Sequence, residues 1–402
     1  MLSLGIKQLM ENVSHIWTPV RGLSFCLAAL VWLPFAAMGQ ESTELKPGGE
    51  VAVPIPQSDG TMKVYLPSNY TPDRKWPAIF FYPGIDDIPT TELIRNHTGG
   101  RDYIVVGLPF VKQAQQPRNP TEHSQYLQRE LNAFRAARTW LDQKASVDQN
   151  RVFMGGVTKG GWMAVALSDR EFGKLAGIII LLAGRQRTTL APPSKDVVTG
   201  KRIYIGSVET GGYPLVALQG REFYRRYGAV VTYEEYPGGG HNAPQLAPLL
   251  KAWLDAIGPY ATGMDKETQA KLSGEFHAFS KKAKETQDLV ARYRSLLQLA
   301  ENPLLAMCDK ELATETSAQI SALRNQSPVK EEWAAEQLFT KFAWSDLHVR
   351  TLKDMKEVAD GLQSTKTTYP NTRYGEYAAR LGEGVSKAYE KSVAASKQRG
   401  GR

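Results

Sequence analysis

The stretch Val152-Phe-Met-Gly-Gly-Val-Thr-Lys-Gly-Gly-Trp-Met-Ala164 decides how this chain is read. Its first three residues are apolar and suit a strand buried on both faces. The glycines that follow permit a tight turn, and the small and apolar residues from Gly160 onward suit a helix packed closely on that strand. At the apex of the turn, Gly156-Val157-Thr158-Lys159-Gly160 matches G-x-S-x-G except that threonine stands in the serine position. In that motif a sharp strand-to-helix turn holds a hydroxyl exposed at the top of a sheet, where it can act as a nucleophile.

On either side of this segment, strands and helices alternate from about residue 50 to 258. Val51-Ala-Val-Pro-Ile55 and Met62-Lys-Val-Tyr-Leu66, separated by Ser58-Asp59-Gly60, predict an antiparallel hairpin. Further unbroken apolar runs occur at Ala78–Tyr82, Tyr103–Val106, Gly177–Leu182, Ile203–Ile205 and Val230–Tyr233, as expected for a mostly parallel sheet. Between them, Leu127, Leu131, Phe134 and Leu141 recur on one face of a predicted helix over 121–143. Leu246, Leu249, Leu250, Trp253 and Ile257 do the same before residue 258. The predicted fold class is α/β, a doubly wound and mostly parallel sheet, followed by an all-α C-terminal region.

The order of these pieces resembles the α/β-hydrolase family over residues 50–260, in particular its secreted esterases, dienelactone hydrolases and polyester depolymerases. In that family the nucleophile is followed in chain order by an acid and then a histidine. The resemblance implies Thr158 as nucleophile, Glu209 after the run ending at Val208 as acid, and His241 in Tyr236-Pro-Gly-Gly-Gly-His241 as base. An imidazole is needed because a neutral hydroxyl is a weak nucleophile, and the acid orients and stabilises the imidazolium. The implied oxyanion hole uses the backbone N–H of Lys159 together with that of Gly84 or Ile85, since Pro83 has no N–H.

The other five histidines lack this strand-end context. His15 is near the N-terminus, His97 reads as a polar loop, His123 starts a helix, and His277 and His348 lie in the helical tail. Threonine at the elbow leaves two readings open. A β-branched residue fits strained backbone badly and its methyl crowds an incoming carbonyl, so a catalytically silent relative with a binding or scaffold role stands beside an active ester hydrolase. Lys159 supplies its backbone donor whatever its side chain does, and the ammonium either pairs at the surface or meets an anionic substrate. Asp86-Asp87 beside the oxyanion loop has no His or Cys neighbours to complete a metal-ligand set, so neither a metal nor any cofactor is expected.

The N-terminus carries an apolar run from Gly22 to Gly39 after Arg21, which reads as a signal peptide over residues 1–39 with cleavage before Gln40. The expected localisation is periplasmic or secreted, with an uncleaved membrane anchor as the alternative. Residues 40–49 form a linker. Cleavage would remove Cys26 and leave Cys308, so no intramolecular disulfide is expected. The net charge of +8 is spread among acidic residues, with no phosphate-binding glycine loop and no interleaved aromatics for a nucleic-acid track. The expected ligand is instead a small-molecule or polymeric ester.

Residues 264–396 lose the strand pattern. Phe276, Phe279, Ala283, Val290, Tyr293 and Leu297 predict one broad helical face, and Asn302-Pro303 and Ser327-Pro328 predict breaks. Leu352, Met355, Ala359 and Leu362, followed by Tyr369-Pro370 and a second helix, resemble half of a tetratricopeptide-type hairpin; one unit is written where an array needs about three. This region is the candidate for an envelope or protein partner, and residues 397–402 read as a disordered basic tail.

Overall fold

A computed structural model describes residues 44–112, 119–185, 192–208, 213–236 and 247–400. Eight strands form one sheet in the order β1-β2-β4-β3-β5-β6-β7-β8. They are β1 Glu50–Pro54, β2 Thr61–Tyr65, β3 Trp76–Tyr82, β4 Ile104–Gly107, β5 Val147–Val157, β6 Gly177–Leu181, β7 Arg202–Val208 and β8 Val230–Tyr236. β1 and β2 form the predicted antiparallel hairpin, β2 joins β4 antiparallel, and β4, β3, β5, β6, β7 and β8 run parallel. Every residue of β3, β4 and β6 is buried, which is what an apolar run without alternation requires.

Helices cover both faces of the sheet. One face carries α2 Pro120–Lys144, α3 Lys159–Glu171 and α5 Tyr213–Arg226; the other carries α1 Glu92–Thr98 and α6 Pro248–Ile257, and α4 Lys195–Val198 precedes β7. The face predicted for α2 is the buried one: Leu127, Leu131, Phe134 and Leu141 are each at most 2% exposed. Asn119 begins that helix by accepting a hydrogen bond from the Glu122 N–H, with Pro120 at the first position. His97 is on α1 and not in a loop. It is buried, and its Nδ1 lies 3.0 Å from the Leu93 carbonyl.

The C-terminal region is all helical: α7 Lys266–Glu285, α8 Leu289–Glu301, α9 Leu305–Cys308, α10 Lys310–Leu323, α11 Val329–Leu347, α12 Leu352–Thr368 and α13 Arg373–Gly400. Both predicted proline breaks fall between helices. The long face predicted over 276–297 is divided at residues 286–288, because Asp288 caps a new helix by accepting from the Ala291 N–H. Phe279 is exposed, Leu296 rather than Leu297 is buried beside Tyr293, and Leu299 is buried in a separate cluster with Phe276. Residues 397–400, read from the sequence as the start of a disordered tail, continue α13. Residues 1–39, read from the sequence as a signal peptide, lie outside the described residues.

This region is joined to the sheet by packing and by charge. Phe339, Tyr374, Tyr377 and Ala378 belong to the same hydrophobic cluster as the α5 side of the sheet. Arg373, at the start of α13, pairs with Glu235 of β8 and lies 3.6 Å from Glu332 of α11 through its Nε. Arg221 of α5 reaches Glu336 at 3.0 Å and stands over the Tyr233 ring. At the outer side of β8 the Tyr233 N–H donates to Glu301 at 3.2 Å. Removing one member of a buried ion pair strands its partner, typically at about 3–5 kcal/mol. Arg373→Met is therefore expected to lower unfolding stability by about that amount, and adding Glu235→Gln should recover part of the loss; chemical denaturation midpoints measure both.

Candidate active site

Thr158 sits between the C-terminal end of β5 and the N-terminus of α3 with φ 51° and ψ −113°. For a β-branched residue this is an outlier of a kind that costs about 1–3 kcal/mol and persists only where the surroundings impose it. Here they do. The Thr158 N–H donates to the Leu181 carbonyl of β6 at 2.8 Å, and the Thr158 carbonyl accepts from Trp162 at 3.1 Å, closing the first turn of α3.

The flanking glycines allow α3 to come this near. A Cβ on Gly156 would lie 2.3 Å from the Gly160 carbonyl carbon and oxygen. One on Gly160 would lie 2.3 Å from the Pro83 carbonyl oxygen and 2.5 Å from that of Tyr82. Gly161 is similarly closed, by Ala183 at 2.6 Å. The motif's glycines are thus required by backbone-to-backbone approach between the elbow and the end of β3.

That approach sets the oxyanion candidates beside the hydroxyl. A Cβ on Gly84 would stand 3.3 Å from Thr158 Oγ1, so the loop leaving β3 runs against the elbow. Among the described residues the N–H groups of Gly84, Ile85 and Lys159 have no acceptor, and Thr158 Oγ1 is buried without a hydrogen-bond partner. Donors without acceptors around a recessed hydroxyl are what stabilisation of a developing oxyanion needs. The fold is of the α/β-hydrolase type.

The Lys159 side chain is engaged at the surface. Its Nζ bonds both carboxylate oxygens of Asp87, at 2.7 and 2.8 Å, and lies 4.1 Å from the centre of the Phe110 ring. Asp87, itself at φ 56°, is thereby tied to the elbow. No cluster of metal-ligating side chains occurs among the described residues. Ile85 and Ile88 on the same loop are 64% and 59% exposed, giving this edge an apolar rim. Beneath it, Glu130 of α2 is fully buried; it accepts from the Val111 N–H at 2.8 Å and lies 3.5 Å from the Tyr82 hydroxyl, and its burial raises its pKa. Sequence reading missed Glu130, although an acid within the apolar face of α2 was the available signal.

Glu209 and His241 lie outside the described residues. The strands that lead to them are described: β7 ends at Val208, β8 at Tyr236, and the register pairs these two residues side by side. Both strands are parallel to β5, so they deliver the following segments to the edge of the sheet that bears Thr158. Arg185, in the segment after β6, is buried and bonds Asp169 through two nitrogens at 2.8 and 2.9 Å; residues 186–191, which follow it, are outside the described residues.

Glu234 ties both ends of the segment that contains His241. From β8 its carboxylate accepts from the Tyr204 hydroxyl and from the N–H of Leu249, at 3.3 Å, and Leu250, at the start of α6. Burial, the largest influence, pushes its pKa up to about 7 despite these donors.

No protein-family model and no curated protein sequence matches the chain. Solved structures similar to it include a thermostable esterase at 16% identity and TM-score 0.36, over 49% of this chain and 58% of that one. A ferulic acid esterase from Anaeromyces mucronatus aligns at 15% identity and TM-score 0.38, over 51% of this chain and 89% of its own. A carboxylesterase from Mesorhizobium loti aligns at 14% identity and TM-score 0.39, over 50% of this chain and 98% of its own.

Two outcomes follow from this geometry. Gly160→Ala is expected to destabilise the protein by about 1–3 kcal/mol through overpacking against two carbonyls, measurable as a lowered thermal midpoint. For Glu234 the folded pKa, about 7, lies above the unfolded value, so the folded state binds more protons between them. Its contribution to stability is therefore lost as pH rises from about 4.5 to 7 and is flat above that range. Glu234→Gln should flatten this part of the stability profile, as read from denaturation midpoints across pH.

Proposed function

We propose that the protein is an exported hydrolase of carboxylic esters in which Thr158 attacks the acyl carbon, His241 takes its proton and Glu209 orients His241. The observation that carries this reading is the Thr158 backbone at φ 51° and ψ −113°, next to unclaimed N–H donors on two segments. Strained residues of this kind cluster at active sites, where the surrounding structure holds a reacting group in place. The chain order of Thr158, Glu209 and His241, and the delivery of β7 and β8 to one edge, support the remaining roles.

In the proposed step the Thr158 hydroxyl gives its proton to the imidazole as its oxygen bonds the ester carbonyl carbon. The carbonyl oxygen gains the electron pair and is held by the N–H of Lys159 with that of Gly84 or Ile85. Collapse expels the alcohol, which takes the imidazolium proton and leaves an acyl-threonine. Water, deprotonated by the same imidazole, then adds to the acyl carbon; the bond to Thr158 Oγ1 breaks, that oxygen takes the proton back from the imidazolium, and the carboxylic acid leaves. The rim of Ile85, Ile88 and Phe110 favours an uncharged apolar group in the ester, small or polymeric. The apolar run at 22–39 after Arg21 supports export.

One observation favours a second reading, in which the protein is catalytically silent and its helical region serves a binding or scaffold role at the cell envelope. Thr158 is only 4% exposed, and its methyl occupies space that serine would leave open to a carbonyl. The two readings separate in one experiment with short-chain p-nitrophenyl esters and a fluorophosphonate label. The active reading expects wild-type turnover and labelling, both lost in Thr158→Ala and His241→Ala, with kcat raised roughly tenfold or more in Thr158→Ser as steric crowding is relieved. Turnover by Thr158→Ser beside an inert, unlabelled wild type would establish the silent reading.

A further inference from the structure

The edge of the sheet opposite Thr158 carries a concavity. From Arg151 to Thr158 is seven residues along β5, about 23 Å at ~3.3 Å each. A cleft of ≈ 390 Å³ opens there between the beginnings of β5 and β7 and the end of α6. Its polar lining is Asn150, Arg151, Thr199, Lys201 and Arg202, and its floor includes Phe153 and Ile257, which are 2% and 3% exposed.

The charges in this cleft are unbalanced. No Asp or Glu lines it. Arg151 uses only its Nε, on Asp148 at 2.6 Å, so its two terminal nitrogens remain available. The guanidinium of Arg202 and the side-chain amide of Asn150 have no partner among the described residues. Lys201 donates to the Leu175 carbonyl at 2.5 Å, meets no carboxylate, and has its pKa pushed down by burial.

Backbone contacts fix the cationic residues in place. Gly200, at φ 75°, donates to the Gly228 carbonyl at 2.8 Å; Val230 donates to the Lys201 carbonyl at 2.9 Å; and Arg202 donates to Ala176 at 3.1 Å. Three cations around an apolar floor, two of them held by backbone pairing and the third by Asp148 at the margin, form a receptor for an anion with an apolar body. Guanidinium forks match the two oxygens of a carboxylate.

We propose that this cleft binds small organic carboxylates that carry an apolar or aromatic body, as a site separate from Thr158. The charged end meets Arg151, Lys201 and Arg202, and the body lies on Phe153 and Ile257. The proposal holds whether or not Thr158 turns over an ester.

Calorimetric titration with benzoate, benzyl alcohol and inorganic phosphate tests it on the full chain. Saturable benzoate binding is expected in wild type and equally in Thr158→Ala. In the Lys201→Gln/Arg202→Gln double variant it should weaken by roughly tenfold or more, the loss expected for charge-assisted contacts. Circular dichroism establishes that the double variant is folded, and Arg202→Gln alone, an exposed change, serves if it is not. Benzyl alcohol should show no saturable binding, and phosphate should bind more weakly than benzoate. The proposal is overturned if wild type does not bind benzoate saturably, if the folded variants bind it as tightly as wild type, or if Thr158→Ala abolishes binding. It is equally overturned if benzyl alcohol or phosphate matches benzoate.

Discussion

Contact between two stretches of bare backbone, Gly156-Gly160 on one side and the Tyr82-Pro83 carbonyls on the other, governs the rest of the edge that bears Thr158. With carbonyl oxygens 2.3–2.5 Å from where a Gly160 Cβ would be, any side chain there would push α3 away from β3. The separation fixes where the turn must reverse, which forces Thr158 into its left-handed conformation and brings Gly84 against its hydroxyl. Strain at Thr158 is therefore imposed by packing that the core holds in place. The Leu181 carbonyl, which receives the Thr158 N–H, extends the constraint into β6.

A similar economy holds at β8. Glu234 faces one side of the sheet and Glu235 the other. The first fastens α6 and β7, and the second fastens Arg373 at the start of α13. Two adjacent carboxylates thus anchor the same strand to both layers of the molecule, directly before the segment that contains His241. The helical region is accordingly part of the framework around this edge, with Phe339 and Tyr374 in the same hydrophobic cluster as α5.

Much of this was legible in the sequence because it rests on short-range patterns. Continuous apolar runs gave the parallel strands, Ser58-Asp59-Gly60 the hairpin, and the spacing of glycines around Thr158 the elbow. What was hidden depends on partners far apart in sequence. The buried state of Glu130 follows from Tyr82 and Val111, and the placement of Arg185 follows from Asp169 and Phe223. The division of the long helical face at residue 288 was signalled locally by an aspartate that caps a helix, as Asp265 and Asp309 also do, but periodicity alone runs through such a cap. Lys159 shows a third case: its place beside Thr158 was plain, while its salt bridge to Asp87 needed the loop's three-dimensional course.

The hydrogen bond from the Tyr233 N–H to Glu301 has a consequence for how the chain behaves before it is complete. β8 is the last strand of the sheet, and its outward backbone groups would otherwise be open to strands from other molecules. Glu301 lies 65 residues beyond the end of β8, in a helix made after the whole sheet has been synthesised. Until that helix arrives, the nascent protein carries a bare, pairing-competent margin. An N-terminal fragment ending near residue 260 would keep that margin for good and tend to self-associate.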